Sequence, residues 1–541
     1  MSRYNTRSAR PRAADPITTT GRTTTHEGGA AYTRDTRGEL LMLAVVNMVG
    51  NDTFYESAGV RDDRFTALVR TLAVEHPAWM VEFVRWLRGE ANMRSAALVA
   101  AAETVKARLD AGAPAVPGYS RLVVDAALQR ADEPGELIGY WTSHYGRAIP
   151  KPIKRGVADA VRRLYGERSL LKYDTASKGY RFADVLNLVH AAPAADKPWQ
   201  GELFGHALDR RHHPDEAVPS AALRMVTANA GLRAAAASDP RVLLDADALA
   251  AAGMTWEDAL SLAGARVDRA ELWSALVPSM GYMALLRNLR NLDEAGVPDH
   301  VAAQVAERLA DPEQVARSRQ FPYRFLSAHR AAPSLRWGHA LDVALNASCA
   351  NVPALTGRTL VLVDTSASMT SPVSARSQVR HVDVGALFGA VLARRGNAVD
   401  LVGYADGQFE HRLTRGGSVL RDIEAFTARI GEVGHGTETV AALRAAYRGH
   451  ERVVIISDMQ AFAHPGYGGR SSGGTGISVS DAIPATVPMF GVDTTGYAAT
   501  SIEVGTPNRH EIGGFSDRMF TMLDLMARGR DAGWPWEHAR D

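Results

Sequence analysis

The spacing of apolar residues changes near Pro353, and no single layered fold accommodates both patterns. From Arg37 to Arg330 apolar residues recur at helical intervals, as in GELLMLAVVNMVG, DRFTALVRTLAVEHPAWMVEFVRWLR, RSAALVAAAETVKARL and SRLVVDAALQRA. Breaks such as DAGAPAVPGYS and GVPDH separate these segments at short intervals, and β-branched runs are nearly absent. This half predicts either stacked helix pairs of about 40–47 residues each, as in HEAT-like arrays, or an irregular helical bundle. Beyond Pro353, RTLVLVDTS, NAVDLVGYA, ERVVIISDM and TVPMFGVDT alternate with helical segments such as SQVRHVDVGALFGAVLARRG and TETVAALRAAYRG. Strands that are apolar on both faces and separated by helices predict a doubly wound, mainly parallel α/β sheet. The chain therefore reads as multidomain, and its 541 residues exceed what one core ordinarily holds.

Ligands of such sheets collect beyond the carboxyl ends of the strands. Three loops there carry oxygen donors. Asp364, Ser366 and Ser368 follow the first strand directly, Thr437 lies in VGHGTET just before a helix, and Asp458 ends the strand RVVIIS. Taken singly, each loop reads as a helix N-cap, where Ser, Thr and Asp satisfy free N–H groups. Taken together at one sheet edge, two carboxylates and three hydroxyls suit a hard divalent cation, Mg²⁺ first and Mn²⁺ or Ca²⁺ as alternatives. Hydrolases that use Mg²⁺ carry more carboxylates or a base poised to activate water. The nearest candidate base here is His435, so the set predicts binding and no catalysis.

A second cluster is cationic. Between Arg147 and Arg181 ten basic residues face three acids, Asp159, Glu167 and Asp174. In KPIKRGVADAVRRLYGE, Pro152 suits the first turn of a helix. At 100° per residue, Lys151, Lys154, Arg155 and Arg162 gather on one side, and Ile153, Val157, Val161 and Leu164 on the other. Such a face is either solvated surface or a phosphate-binding surface whose affinity falls with salt. Tyr165, Tyr173 and Tyr180 lie beside it, to stack on unpaired bases or to pack the core.

Two resemblances follow from these residues. Asp364-Thr-Ser366-Ala-Ser368, with Thr437 and Asp458, resembles the metal-ion-dependent adhesion site (MIDAS) of von Willebrand factor A domains. By that likeness Ser366, Ser368 and Thr437 would bind the ion directly, and Asp364 and Asp458 through water. KPIKRGVADAVRRLYGERSLLKY, YRFADVLNLVHAAP, VPSMGYMALLRNLRNL, FPYRFLSAHRA, SDMQAF and GGFSDRMFTMLDLMARG look like the TROVE module and the A-type domain of Ro autoantigen proteins, in the same order. The chain resembles a bacterial or phage-type member. That implies a monomeric ring in which a HEAT-like helical horseshoe is closed by an A-type domain. It further implies Y-type small RNA on an outer basic surface, single-stranded ends of misfolded RNA in a central hole, and exoribonucleases joined through RNA. Lys172, Lys178 and His190 match the family's Y RNA contacts. The alignment needs one inserted residue before His190, and lysine stands where a bidentate arginine would bind.

The expected domains are a disordered tail over 1–36, a TROVE-like RNA-binding domain over 37–345, and an A-type domain with its metal site over 346–541. The start is rich in Arg, Thr and Ser without the apolar stretch of a signal peptide. No run is apolar enough to span a membrane. Net charge is only +1, so affinity for RNA must come from local patches. A single cysteine, Cys349, excludes an internal disulfide framework and a cysteine zinc cluster, and cytoplasm is the expected location. The rival functions are a metal-dependent protein-binding adaptor without RNA and a metal-dependent nuclease. The loop Pro465–Gly476 reads as a mobile surface loop.

Overall fold

A computed structural model describes residues 15–47, 49–414, 416–462 and 477–537. The loop expected to be mobile, 465–476, lies outside these residues. Nineteen α-helices run between Thr36 and Ser348 among the described residues. Their starts are capped as the sequence allows: Asp35 accepts from Arg37 N and Gly38 N, and Ser57, Thr255, Asp268 and Asp311 act alike. Helices in the first part pack on the next but one. Ala58–Glu75 lies on Arg94–Asp110, Pro77–Gly89 on Tyr119–Ala127, and Tyr119–Ala127 on Lys151–Leu164. That pattern belongs to stacked helix pairs and resolves the choice left by periodicity. Arg94–Asp110 is buried on nearly every side, which its small Ala-rich surface permits.

Among the described residues there are nine strands, with four further α-helices after Ser348: β1 Thr19–Thr24, β2 Ala30–Arg34, β3 Arg358–Asp364, β4 Ala398–Tyr404, β5 Gln408–His411, β6 Arg452–Ser457, β7 Met489–Asp493, β8 Ala499–Thr500 and β9 Arg509–Gly513. Six form one sheet in the order β5-β4-β3-β6-β7-β9, parallel except for the edge hairpin β4–β5. β3 and β6 are buried on both faces, as continuous Val/Ile/Leu runs require.

The expected tail needs correction. Within 1–36, β1 and β2 form an antiparallel hairpin, and β2 pairs with β8 of the α/β domain. Ile17 is 0% exposed, and Ala31 and Tyr32 are buried. Composition concealed this because the hairpin is anchored by hydrogen bonds to residues more than 430 positions away. Arg34 holds the junction. It is fully buried, donates to both Glu511 oxygens at 2.7 Å and to Asp493 at 2.9 Å, and also donates to Tyr497 O.

The helical half meets the α/β domain again at its other end. Arg330 pairs with Asp383 through two bonds of 3.0 Å, and Asp342 accepts from Ser418 Oγ at 2.7 Å. The ends of the helical arc also touch directly. Asn92 Nδ2 donates to Arg319 O at 2.8 Å, and Arg319 Nη1 donates to Gly89 O at 2.9 Å. The helices thus form a closed circuit.

Candidate functional site

β3 and β6 are parallel neighbours in the register Val363↔Ile456, which puts Asp364 and Ser457 at one level and Asp458 a residue beyond. The chain leaves β3 toward β4 on one side, while β6 lies on the other, so these residues occupy the switch point where such sheets bind ligands. Asp364 Oδ1 accepts Ser366 N at 2.8 Å, and Oδ2 accepts Ser457 Oγ at 2.7 Å. The hydroxyls of Ser366 and Ser368 lie 3.2 Å apart. Ala367 N donates to His435 O at 3.0 Å, tying the first loop to the second. Asp406 shapes that second loop by accepting His435 N and Gly436 N at 3.0 and 3.1 Å. Thr437 follows, and its carbonyl accepts Phe462 N at 3.0 Å, which joins the third loop.

All five predicted metal residues are buried and converge: Asp364, Ser366, Ser368, Thr437 and Asp458. Capping does not explain them. The helix Thr439–Ala446 has Glu438, not Thr437, at its N-cap, and among the described residues no helix begins at Asp458. Asp458 Oδ1 accepts Gln460 N at 3.2 Å, whereas Oδ2 is buried without a hydrogen-bond partner. Burial, reinforced by the neighbouring charge of Asp364, pushes the Asp458 carboxyl up to about 8. Burial also raises Asp364. Two buried carboxylates with hydroxyls around them and an unsatisfied oxygen fit a hard cation, which would stabilise their charge. Among the described residues, no group of three or more His, Cys, Asp or Glu could hold a metal ion, so a hydroxyl-rich set is what the fold offers. The His435 side chain is exposed and stands beside Gly431.

Ser457, Asp406 and a cover formed by His26, Glu27 and Tyr55 were not foreseen. Ser457 donates toward both carboxylates, at 2.7 Å to Asp364 and 3.5 Å to Asp458. Its place directly before Asp458 was the available signal.

The cationic helix forms as predicted over Lys151–Leu164, with Ile153, Val157 and Val161 buried. Lys151, Arg155 and Arg162 are exposed, and Lys154 is half-buried. Arg162 Nε donates to Ala192 O at 3.0 Å, which brings the loop after His190 beside this face. His190 is exposed and ends its helix at φ 54°. Lys172 is exposed, with its ammonium 5.2 Å from the Tyr173 ring centre. Lys178 is bound to Asp132 at 3.1 Å and Glu136 at 3.3 Å, so its charge is already matched. Of the tyrosines, Tyr165 is 2% exposed and stacks on Phe182 at 3.7 Å, and Tyr180 bonds Thr142 at 2.9 Å. Both serve the core. Arg287, Arg290 and Asn291 line a separate cavity of about 200 Å³.

Fold and loops together define the class: a closed arc of helix pairs joined at both ends to an α/β domain of the von Willebrand factor A type. A model of the TROVE domain matches residues 250–337. The crystal structure of the Deinococcus radiodurans RO (RSR) protein superposes with a TM-score of 0.57 at 20% identity, covering 91% of this chain and 99% of that one. Telomerase protein component 1 of Rattus norvegicus is 46% identical over 77 residues, 14% of this chain and 3% of that protein. Its counterpart in Mus musculus is 41% identical over 83 residues, again 3% of that protein's length. Residues 250–337 thus resemble a TROVE domain, and the chain as a whole shares the fold of that RO (RSR) structure. Among the described residues no helix is long and apolar enough to cross a membrane.

Proposed function

We propose that this is an RNA-binding ring protein that breaks no bonds: it holds a Y-type small RNA on its basic surface and takes single-stranded ends of misfolded RNA into a central hole. The observation that carries the reading is the helix Lys151–Leu164, whose apolar stripe is buried while Lys151, Arg155 and Arg162 face solvent beside His190. Cations held on a fixed, solvent-facing helix side can neutralise phosphates, with each contact releasing counterions. Lys154 lies on the same helix, and the exposed Lys172 is assigned to the same RNA-binding set. Lys178, which is paired within the protein, serves chiefly to hold its own loop.

Ser366, Ser368 and Thr437 would hold a divalent cation, most simply Mg²⁺, with Asp364 and Asp458 acting through water. Such an ion supplies positive charge that fixes the three loops and accepts an anionic group. In this reading the protein works in the cytoplasm, in RNA quality control, with exoribonucleases tethered through RNA.

Fluorescence anisotropy with a labelled RNA hairpin bearing a single-stranded tail, titrated across salt, tests the proposal. Replacing Lys151, Lys154 and Arg155 with Glu should flatten the log Kd against log salt slope by about 2, at roughly 0.7 per lost contact on a single strand. Salt-insensitive binding, or none, sinks the proposal. Hydrolysis of the RNA that disappears in Asp364→Ala would reassign the protein to the nucleases.

A further inference from the structure

The turn of the β1–β2 hairpin lies across the loops that carry Asp458 and Thr437. Thr25 Oγ1 donates to Ala461 O at 2.7 Å, His26 N donates to Gln460 Oε1 at 2.9 Å, and Gly28 pairs with Phe462. The approach is so close that a Cβ on Gly29 would sit 2.2 Å from Ala461 O. Glu27 lies in this turn, between His26 and Gly28. Tyr55 donates its hydroxyl to Glu27 Oε1 at 2.6 Å, and the same phenol has the Ser368 hydroxyl and the Asp458 carboxylate as further polar neighbours. The Tyr55 ring is held by stacking on His26 at 4.9 Å and by edge contact with Tyr497 at 5.5 Å. One hydroxyl thus links an acid from the start of the chain to the ligand set. Within that set, the buried Asp458 Oδ2 has no hydrogen-bond partner.

We infer that Glu27 is the site's own acidic ligand: with a divalent cation on Ser366, Ser368 and Thr437, the Glu27 carboxylate occupies the anion-accepting position that a partner's acid would otherwise take. This rests on the cation reading of the same loops. Its consequence is that the metal site faces inward. Ion binding fastens the N-terminal hairpin to the α/β domain, and an external acidic group gains access only when the hairpin turn lifts away.

Calorimetric titration of the full chain with Mn²⁺ tests this, with sodium acetate as the probe for an external carboxylate. Glu27→Gln keeps an oxygen to accept the Tyr55 hydroxyl and removes only the charge. It should weaken Mn²⁺ binding about tenfold and allow the Mn²⁺-loaded protein to take up acetate, which the wild type refuses. Asp458→Asn should weaken Mn²⁺ binding at least as much. Wild-type Mn²⁺ affinity in Glu27→Gln, beside a loss in Asp458→Asn, overturns the role of Glu27 alone. No Mn²⁺ binding by the wild type overturns the cation reading with it.

Discussion

Arg34→Met tests what holds the two ends of the molecule together. Methionine retains most of the aliphatic length and removes the guanidinium, leaving Glu511 and Asp493 buried at 0% and 1% side-chain exposure. Asp493 keeps the backbone amides of Thr495 and Gly496 at 2.8 and 2.9 Å, whereas Glu511 keeps little beyond the Thr500 hydroxyl at 2.8 Å. The cost therefore falls mainly on Glu511. Breaking a buried ion pair from one side costs about 3–5 kcal/mol, most of it the desolvated charge left behind. Hydrogen exchange of the β1–β2 amides reads the loss locally, as a fall in opening free energy of that size, while amides of β3 and β6 keep their protection. Arg34→Met combined with Glu511→Gln removes the stranded charge and should recover about 2 kcal/mol. A single-variant cost under about 1 kcal/mol, or a double variant no better than the single, would refute this account of the junction.

His381 is fully buried, and burial together with nearby Arg61 pushes its imidazole down to about 4. The unfolded chain binds a proton near pH 6.5 that the folded one refuses, so stability falls as pH drops from about 6.5 to 4, by up to ~3 kcal/mol. Denaturant midpoints for His381→Gln should lose that slope, and parallel pH profiles would contradict the reading. Gly29→Ala drives a methyl into the carbonyls of Ala461 and Phe462, for an expected cost of about 1–3 kcal/mol. Trypsin should then cut sooner near the N-terminal arginines; unchanged cleavage would show that the turn has room. Lys178→Ala should change RNA affinity by less than about twofold, since its charge is already engaged, whereas Lys151→Glu and Arg155→Glu should each weaken it more. Equal losses in all three variants would put Lys178 among the phosphate contacts.

The oxygen-bearing loops at the sheet edge were legible because their signal is local. An apolar strand that ends in Asp-x-Ser-x-Ser needs no distant information to place its oxygens at a sheet edge, and β3 delivered them there. The cationic helix was legible for a similar reason: Pro152 and a 100° period fix which face is buried. What escaped was non-local. Lys178 reads as a free cation until folding brings Asp132 and Glu136 against it across more than 40 residues. Tyr165 reads equally as a stacking platform or a core residue until Phe182 closes over it. The Thr-rich run of β1 carries no apolar residue and reads as tail, because its order comes from β2 and, through it, from a strand near the other end of the chain.

Arg34 is separated from its two acids by 459 and 477 residues. During translation the first hairpin must wait for them to leave the ribosome, roughly 25–95 s at about 5–20 residues per second. Its threonines and arginines remain soluble through that delay, where an apolar hairpin would aggregate. The polar character that disguises this segment as a tail is also what lets a nascent chain carry it safely until its receptor is made.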